Sequence, residues 1–400
     1  MTKVIDKFNS MGKDSKKIFN IIQKNGPLTK AQIIDITKLK LTTLNRIMNP
    51  LVLDKLIVGA NIGESTGGRK PALYDVNVRD YAFVGIDISR IYTQVVFMDL
   101  KLNLIFKERF NMDSSNSPEN TINEITEICR KAEKIPELKN KEIIAAGLGT
   151  VGPFDMKRGL MKNALNFKAR GWQGVPIKDM LETALKLKFF MDNGANAAVT
   201  AEYLFGSGKG LKNIAYFNFG MGIRTAVISN GNIIRTINDA EDAFAHMVVN
   251  VHGIKCSCGN FGCIECYASI KAITEKFRQK IIAGEKTKIQ KRTDDINYID
   301  ISLAAEAGDS LAIEIIREAA EIFAAGLANF INLLNPELVV LSGPLIMASE
   351  LFYRLSIEMA KRKYYFSKHN NIFFNRGGYF KENAISAGAA AIAIENLLMS

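Results

Sequence analysis

Near the start of the chain, Ile18, Phe19, Ile21 and Ile22 recur at helical spacing behind Asp14 and Ser15, residue types that favour a helix N-cap. Asn25-Gly26-Pro27 breaks that pattern. Thr29-Lys30-Ala31-Gln32 then has the form of a capping box and opens a second short helix carrying Ile33, Ile34 and Ile36. After a brief turn at Lys38–Lys40, Leu44, Ile47, Met48 and Leu51 share one face of a third helix. Three short helices in this order, the last behind a tight turn, predict a helix-turn-helix. Lys40 is a weak cap for the third helix, and Pro50 predicts a kink or an early end behind the exposed face. Leu56-Ile57-Val58 and Leu73-Tyr74-Asp75-Val76 read as strands flanking a loop tip, Thr66-Gly67-Gly68-Arg69-Lys70-Pro71, and together form a wing.

From Tyr81 the pattern becomes strand-rich α/β. Phe83–Ile88, Tyr92–Leu100 and Leu104–Phe106 read as successive strands. Ser310–Leu334 is a long helical stretch ended by Asn335-Pro336, Leu338–Leu341 is a buried strand, and a final helix begins at Ala384. The polar, basic stretch Gly284–Asp300 reads as a solvated loop. No apolar run reaches the roughly 18–20 residues that cross a bilayer, and the N-terminus lacks the apolar core of a secretory signal. With 400 residues, 48% of them hydrophobic, and a mean hydropathy of +0.03, a cytoplasmic protein of two or three domains with no membrane partner is expected.

Charge sharpens the picture for the first fifth of the chain. Residues 1–80 hold fourteen Lys/Arg against seven Asp/Glu, and the other 320 residues hold 38 against 34. On charge alone this is either a polyanion partner or a solvated basic face. Helix-turn-helix folds also serve as protein-interaction modules, but a wing and a local basic excess favour double-stranded DNA. Thr42, Thr43, Asn45 and Arg46 point away from the apolar stripe of the third helix and face base edges, Arg suiting guanine and Asn adenine. Lys38, Lys40 and Lys70 would hold phosphates, and Arg69 would enter a minor groove.

Five cysteines, four of them crowded at Cys256, Cys258, Cys263 and Cys266, do not make a disulfide framework for a chain of this size; in the cytosol such crowding points to a metal. Cys129 reads as a buried helix residue.

Several motifs together resemble the ROK family of repressors, open reading frames and sugar kinases, over essentially the entire chain. Gly67-Gly68-Arg69-Lys70-Pro71 is similar to the wing of its repressors. His246-x9-Cys256-x-Cys258-x4-Cys263, followed by Ile264-Glu265, resembles its structural zinc loop, with His252 as a rival ligand and Cys266 as a spare thiol. Ala145–Asp155 resembles its sugar-side strand and turn, and Asn166 and Trp172 the loop that closes its sugar pocket. The resemblance implies an N-terminal winged helix-turn-helix (residues 1–80) on an α/β actin-like ATPase fold of two lobes, 81–200 and 201–400, the last helix returning to the first lobe. It also implies a structural Zn²⁺ held by His246, Cys256, Cys258 and Cys263: three thiolates and an imidazole leave no open position for water.

The same resemblance exposes losses. The catalytic aspartate of the family's Glu-Asn-Asp-Ala-Asn turn is Gly194 in Asp192-Asn193-Gly194-Ala195-Asn196, so no general base stands there. In the first phosphate turn the family's Gly and Thr are Ser89 and Ile91. In the second, Met221, Arg224 and Thr225 replace a Thr and two glycines, and Leu341-Ser342-Gly343-Pro344 departs from the third glycine run. Of the family's sugar contacts, Asn193, His246 and Glu265 match, while Gly194 and Ala243 do not; Asn193 before a glycine also suits a plain turn. The resemblance therefore implies a transcriptional regulator of xylose-repressor type, a homodimer or tetramer on a palindromic operator. No catalytic residue and no ATP are expected, and a sugar effector would act between the lobes on carbohydrate-utilisation genes. The alternatives are a sugar kinase with a DNA-binding head, against which Gly194 speaks, and an effector-independent DNA-binding scaffold controlled by a protein partner.

Overall fold

The N-terminal segment forms four helices and a three-stranded sheet in a computed structural model that describes residues 3–62, 72–156, 158–164, 167–235, 243–365 and 371–399. The helices are α1 (Lys3–Ser10), α2 (Lys13–Asn25), α3 (Lys30–Thr37) and α4 (Leu41–Leu53); the strands are β1 (Leu28–Thr29), β2 (Ile57–Ile62) and β3 (Ala72–Val76). Their order in the sheet is β1-β3-β2, antiparallel throughout. The predicted capping box at Thr29 is present: its side chain accepts from the Gln32 amide, and the Gln32 side chain accepts from the Thr29 amide. Lys40 caps α4 with no side-chain hydrogen bond. Two expectations are corrected. The N-cap of α2 is Gly12, without a side-chain cap, so Asp14 and Ser15 lie inside the first turn. Pro50 does not end α4, which runs on to Leu53 because Leu51 is buried on the same face as Leu44, Ile47 and Met48. Helix α1, which sequence reasoning did not find, buries Ile5 and Phe8, and Phe8 meets the Phe19 ring edge-on at 5.5 Å.

The next segment comprises β4 (Tyr81–Ile88), β5 (Tyr92–Met98), β6 (Leu104–Asn111), α5 (Pro118–Ala132), α6 (Pro136–Lys139), β7 (Glu142–Thr150), β8 (Phe154–Asp155), β9 (Leu160–Asn163), β10 (Gln173–Val175), α7 (Ile177–Leu185), β11 (Phe189–Asn193) and α8 (Gly194–Phe205). The third segment comprises β12 (Ile214–Phe219), β13 (Ile223–Ser229), β14 (Asn232–Ile233), α9 (Glu265–Ala268), α10 (Ile270–Ile282), α11 (Tyr298–Glu306), α12 (Ser310–Leu334), β15 (Leu338–Ser342), α13 (Pro344–Ala348), α14 (Glu350–Lys361), β16 (Phe373–Arg376) and α15 (Ala384–Met399). The two larger sheets repeat one plan. In the order β11-β7-β4-β5-β6, β4 pairs antiparallel with β5 and parallel with β7; in β14-β13-β12-β15-β16, β12 pairs antiparallel with β13 and parallel with β15. Central strands with helices on the faces are apolar on both sides, and every residue of β4 and of β15 is buried.

The chain divides into two compact units, residues 1–197 with 385–400, and residues 198–384. In the first, the N-terminal helices pack with the β4-containing lobe. The Gln23 side-chain amide donates to Leu100 O at 2.6 Å, and the Lys101 ammonium reaches both Gly26 O at 2.9 Å and the Asp75 carboxylate at 2.6 Å. The second centres on α12, whose Phe323 and Phe330 meet Phe217 edge-on.

Within the first unit α15 lies against its sheet more closely than side chains allow. A Cβ at Gly85 would fall 1.9 Å from Ser386 O, and one at Gly147 1.8 Å from Ala389 O. Backbone meets backbone here, so neither position tolerates a methyl group without moving the helix. Gly147→Ala is expected to cost about 3 kcal/mol in chemical denaturation, the scale of overpacking. Gly59→Ala, where a Cβ meets nothing within 4 Å, should change stability by less than about 0.5 kcal/mol.

Candidate nucleic-acid interface and metal cluster

Helix α4 buries Leu44, Ile47, Met48 and Leu51 against the N-terminal core, which turns the residues between them outward. Thr42 and Arg46 are exposed, as are Lys38 and Lys40 ahead of the helix, and Thr43 is half-buried. Lys38 closes α3 in the left-handed region at φ 60°, which sets the tight turn into α4. Asn45, expected to face base edges, is half-buried and engaged within the domain. Its Oδ1 accepts from the Lys30 ammonium at 2.7 Å, and that ammonium also lies 5.3 Å from the centre of the Tyr74 ring. Lys30 thus ties α3, α4 and β3 together, a role invisible in sequence because all three partners come from different elements. Arg69 and Lys70, with the Gly67-Gly68 tip, lie outside the described residues.

The cysteine loop is built from tight backbone turns. Val248 bridges Cys263 and Lys255 bridges Phe261 as isolated antiparallel pairs. Gly262 sits at φ 69°, and a Cβ there would fall 1.6 Å from Asn250 O, so only glycine lets the two arms cross. This brings together the expected four: ligand atoms of His246, Cys256, Cys258 and Cys263 all lie within 4.8 Å of one another. Cys256 Sγ is 3.6 Å from His246 Nδ1 and Cys258 Sγ is 3.7 Å from Cys263 Sγ. A tetrahedron of zinc–thiolate bonds has edges of about 3.8 Å, so the donor set fits such an ion in type and in size. His252 is not one of the four.

Protonation chemistry in the loop points the same way. Burial works against a Cys256 thiolate, but the Cys258 amide and the thiols of Cys258, Cys266 and Cys263 pull its pKa down to about 6. Burial first, then thiol hydrogen bonding to Cys258 and Cys256 and their negative charge, pushes Cys263 up to about 12. Cys266 is likewise pushed up to about 12, by burial first and then by its thiol hydrogen bond to Cys256. Cys256, Cys263 and Cys266 thus shift one another's ionisation through their shared thiol contacts. Cys266, read from sequence as a spare, contributes to that balance.

Of the residues expected to meet a sugar, Asn193 belongs to one compact unit, and His246 and Glu265 to the other. Asn193 is buried, and its Oδ1 accepts the Asn196 amide at 2.6 Å, so it caps the first turn of α8. Asp192 supports the turn by accepting from the Asn193 amide at 2.8 Å and the Asn196 side-chain amide at 2.9 Å. At Gly194 itself a Cβ would approach Ile385 Cδ1 at 3.2 Å, so the position is narrowed by the helix that ends the chain. Glu265 opens α9 and accepts the Ile223 amide at 3.1 Å, which ties the cysteine loop to the turn carrying Met221 and Gly222. Trp172 is buried, stacks on Phe167 at 4.4 Å and donates to Asn116 O at 3.0 Å; Asn166 lies outside the described residues.

The turn after β4 is closed by internal hydrogen bonds. Ser89 Oγ donates to Tyr92 O at 2.7 Å and accepts from the Ile91 and Tyr92 amides. Ile91 and Met221, at positions where the family resemblance expects hydroxyls, are 37% and 42% exposed. Gly343 persists at φ 97° because a Cβ would fall 2.5 Å from the Phe219 amide.

Comparison with known proteins agrees with this geometry. Residues 83–396 match the family model described as "ROK family", and residues 15–58 match a model described as "Winged helix-turn-helix DNA-binding". The chain is 26% identical over 383 residues to the xylose repressor of Caldicellulosiruptor bescii, covering 95% of each chain. It is 27% identical over 275 residues to a glucokinase of Halalkalibacterium halodurans, covering 68% of this chain and 82% of the relative. The crystal structure of a ROK family transcriptional regulator, described as a homolog of the E. coli MLC protein, superposes with a TM-score of 0.79 at 19% identity over 96% of each chain. The chain belongs to the ROK family, with a winged helix-turn-helix ahead of the family's two-lobed actin-like ATPase fold.

The capping role of Asn193 is directly testable. Asn193→Ala should lower stability by about 1 kcal/mol, the usual worth of an N-cap, with a matching fall in Tm by circular dichroism. A residue that only contacts ligand would leave the Tm of the ligand-free protein unchanged.

Proposed function

We propose that this chain is a DNA-binding transcriptional regulator, a repressor of carbohydrate-utilisation genes, whose kinase-like body senses rather than phosphorylates. The observation that carries the reading is the pairing of two features in one compact unit: a helix α4 with an exposed polar face, and Gly194 where a sugar kinase needs its base. Similarity to xylose repressors over nearly the whole chain supports it. Thr42, Arg46, Lys38, Lys40, Arg69 and Lys70 supply the DNA contacts, the lysines by neutralising phosphates and Arg46 by reaching base edges. The protein acts in the cytoplasm as a homodimer or tetramer, with two reading helices on a palindromic operator; no helix among the described residues is long and apolar enough to cross a membrane. A sugar effector releases the operator. Selection of bound genomic fragments, repeated with a sugar panel that includes xylose, tests this. Salt-sensitive, sequence-preferring binding is expected, and its absence would sink the reading. If no sugar releases DNA, the effector-independent scaffold replaces it.

Phosphoryl transfer is not part of this function. Ile91 and Met221 remove hydroxyl donors, and Gly194 removes the group that would accept the sugar proton. Sensitive ATP-consumption assays with hexoses and pentoses should give rates at the no-protein background, and measurable turnover would favour the kinase reading.

His246, Cys256, Cys258 and Cys263 hold a structural zinc ion, which locks the loop that Glu265 ties to the Met221 turn. Purified protein should carry about one zinc per chain by elemental analysis. Cys263→Ser should release the metal, whereas Cys129→Ser, at a thiol buried in α5 and pushed up to about 12 by burial, should retain it. Because the ligands must be deprotonated, removal of the metal by chelators should accelerate as the pH falls toward 5.

A further inference from the structure

We propose that Asn49, rather than Asn45, is the amide that reads adenine in the operator, on a stripe with Thr42 and Arg46. The inference rests on the DNA-binding reading above and names the base-reading group of that interface. At about 100° per residue, the buried side chains Leu44, Ile47, Met48 and Leu51 fix the inward direction of α4. Thr42, Arg46 and Asn49 fall opposite it, at i, i+4 and i+7, within an arc of about 60°. All three are exposed. Among the described residues, none hydrogen-bonds their side chains. From Thr42 to Asn49 the helix advances about 10 Å, which spans about three base pairs.

Asn45 stands on the flank of this stripe, turned toward α3. Bidentate adenine recognition needs an amide oxygen to accept from the N6 amino group and an amide N–H to give to N7. The Asn45 oxygen already accepts from the Lys30 ammonium at 2.7 Å. An N6 amino group approaching that oxygen would meet a cation that is itself a donor. Asn45 is therefore a positioning residue that holds the reading helix to α3, and Asn49 has both amide atoms available. Asn49 was not legible as a reader because Pro50 predicted that the helix would bend or stop beside it. The structure carries α4 through to Leu53, so Asn49 keeps its place in the helical register.

The test uses the full-length protein and a randomised double-stranded DNA library. Wild type, Asn49→Ala and Asn45→Ala are put through selection, and the enriched wild-type operator is resynthesised with 7-deazaadenine at each adenine in turn. Asn49→Ala should lose about tenfold of the preference for an A·T pair at one position of each half-site, and should become indifferent to 7-deazaadenine there. Asn45→Ala should keep that preference while binding more weakly at every sequence. Unfolding curves on the same samples, with Asn49→Ser as a second variant, confirm that an exposed substitution leaves the fold intact. Full retention of the preference in both Asn49 variants, or its loss in Asn45→Ala instead, would overturn the proposal. If wild type selects no preferred sequence, the DNA-binding reading fails and takes this assignment with it.

Discussion

The contact on which the first unit depends is backbone against backbone: α15 pressed onto β4 and β7 where Gly85 and Gly147 leave no side chain between them. Such closeness has two consequences. The last helix becomes part of the sheet's packing layer although about 300 residues separate it from β5 in sequence, and it is fixed in register, since sliding would drive its carbonyls into a Cβ on either side. Ser386, set by that register, accepts from the Gln94 side-chain amide at 2.9 Å. Gln94 in turn accepts two bonds from Arg109, whose guanidinium lies 4.4 Å from the centre of the Tyr92 ring. A buried polar chain of this kind specifies one arrangement because every alternative leaves a group unpaired.

The two ends of α15 lie against the features that matter for function. At its start, Ile385 packs against Gly149 and Gly194, at the end of β7 and the turn into α8. Near its end, Glu395 faces Lys24 of α2. Burial raises the carboxyl and lowers the ammonium, and the opposite charge of each partner partly offsets the shift in the other. A Cβ at Gly194 would lie 3.2 Å from Ile385 Cδ1, a side-chain tip that a small shift would accommodate. The turn is held by its capping groups Asp192, Asn193 and Asn196.

Features governed by neighbours in sequence were legible; features governed by distant partners were not. The capping box at Thr29, the weak cap at Lys40, the span Ser310–Leu334 and the spacing of His246, Cys256, Cys258 and Cys263 all follow from local rules, and the structure shows them. Helix α1 escaped notice because its apolar residues Ile5 and Phe8 are few, and its stability comes from tertiary contacts such as Phe8 on Phe19. Asp14 and Ser15 fit the N-cap preference, yet the chain enters α2 two residues earlier, at Gly12. Asn45 and Asn193 have side chains suited to either recognition or structure, and sequence cannot say which until Lys30 and the Asn196 amide are seen beside them.

The docking of the N-terminal helices bears on how a regulator of this design would respond to ligand. A DNA-binding head on a flexible tether would be deaf to its body. Here Lys101 grips Gly26 at the end of α2 and Asp75 on the wing strand β3, Gln23 bonds Leu100 O, and the Tyr81 hydroxyl donates to Asp54 O just after α4. These contacts touch both α2 and the segment that follows the reading helix, so the head is bonded to the lobe at two places. A regulator that pairs two reading helices must match half-sites at a fixed spacing along the duplex, and a head bonded to its body would link that spacing to the geometry of the body. Coupling of this kind needs no flexible relay, only a rigid head and two geometries of the body that a ligand distinguishes. The glycine contacts beneath α15 hold that helix tightly to the sheet on which the N-terminal helices also pack.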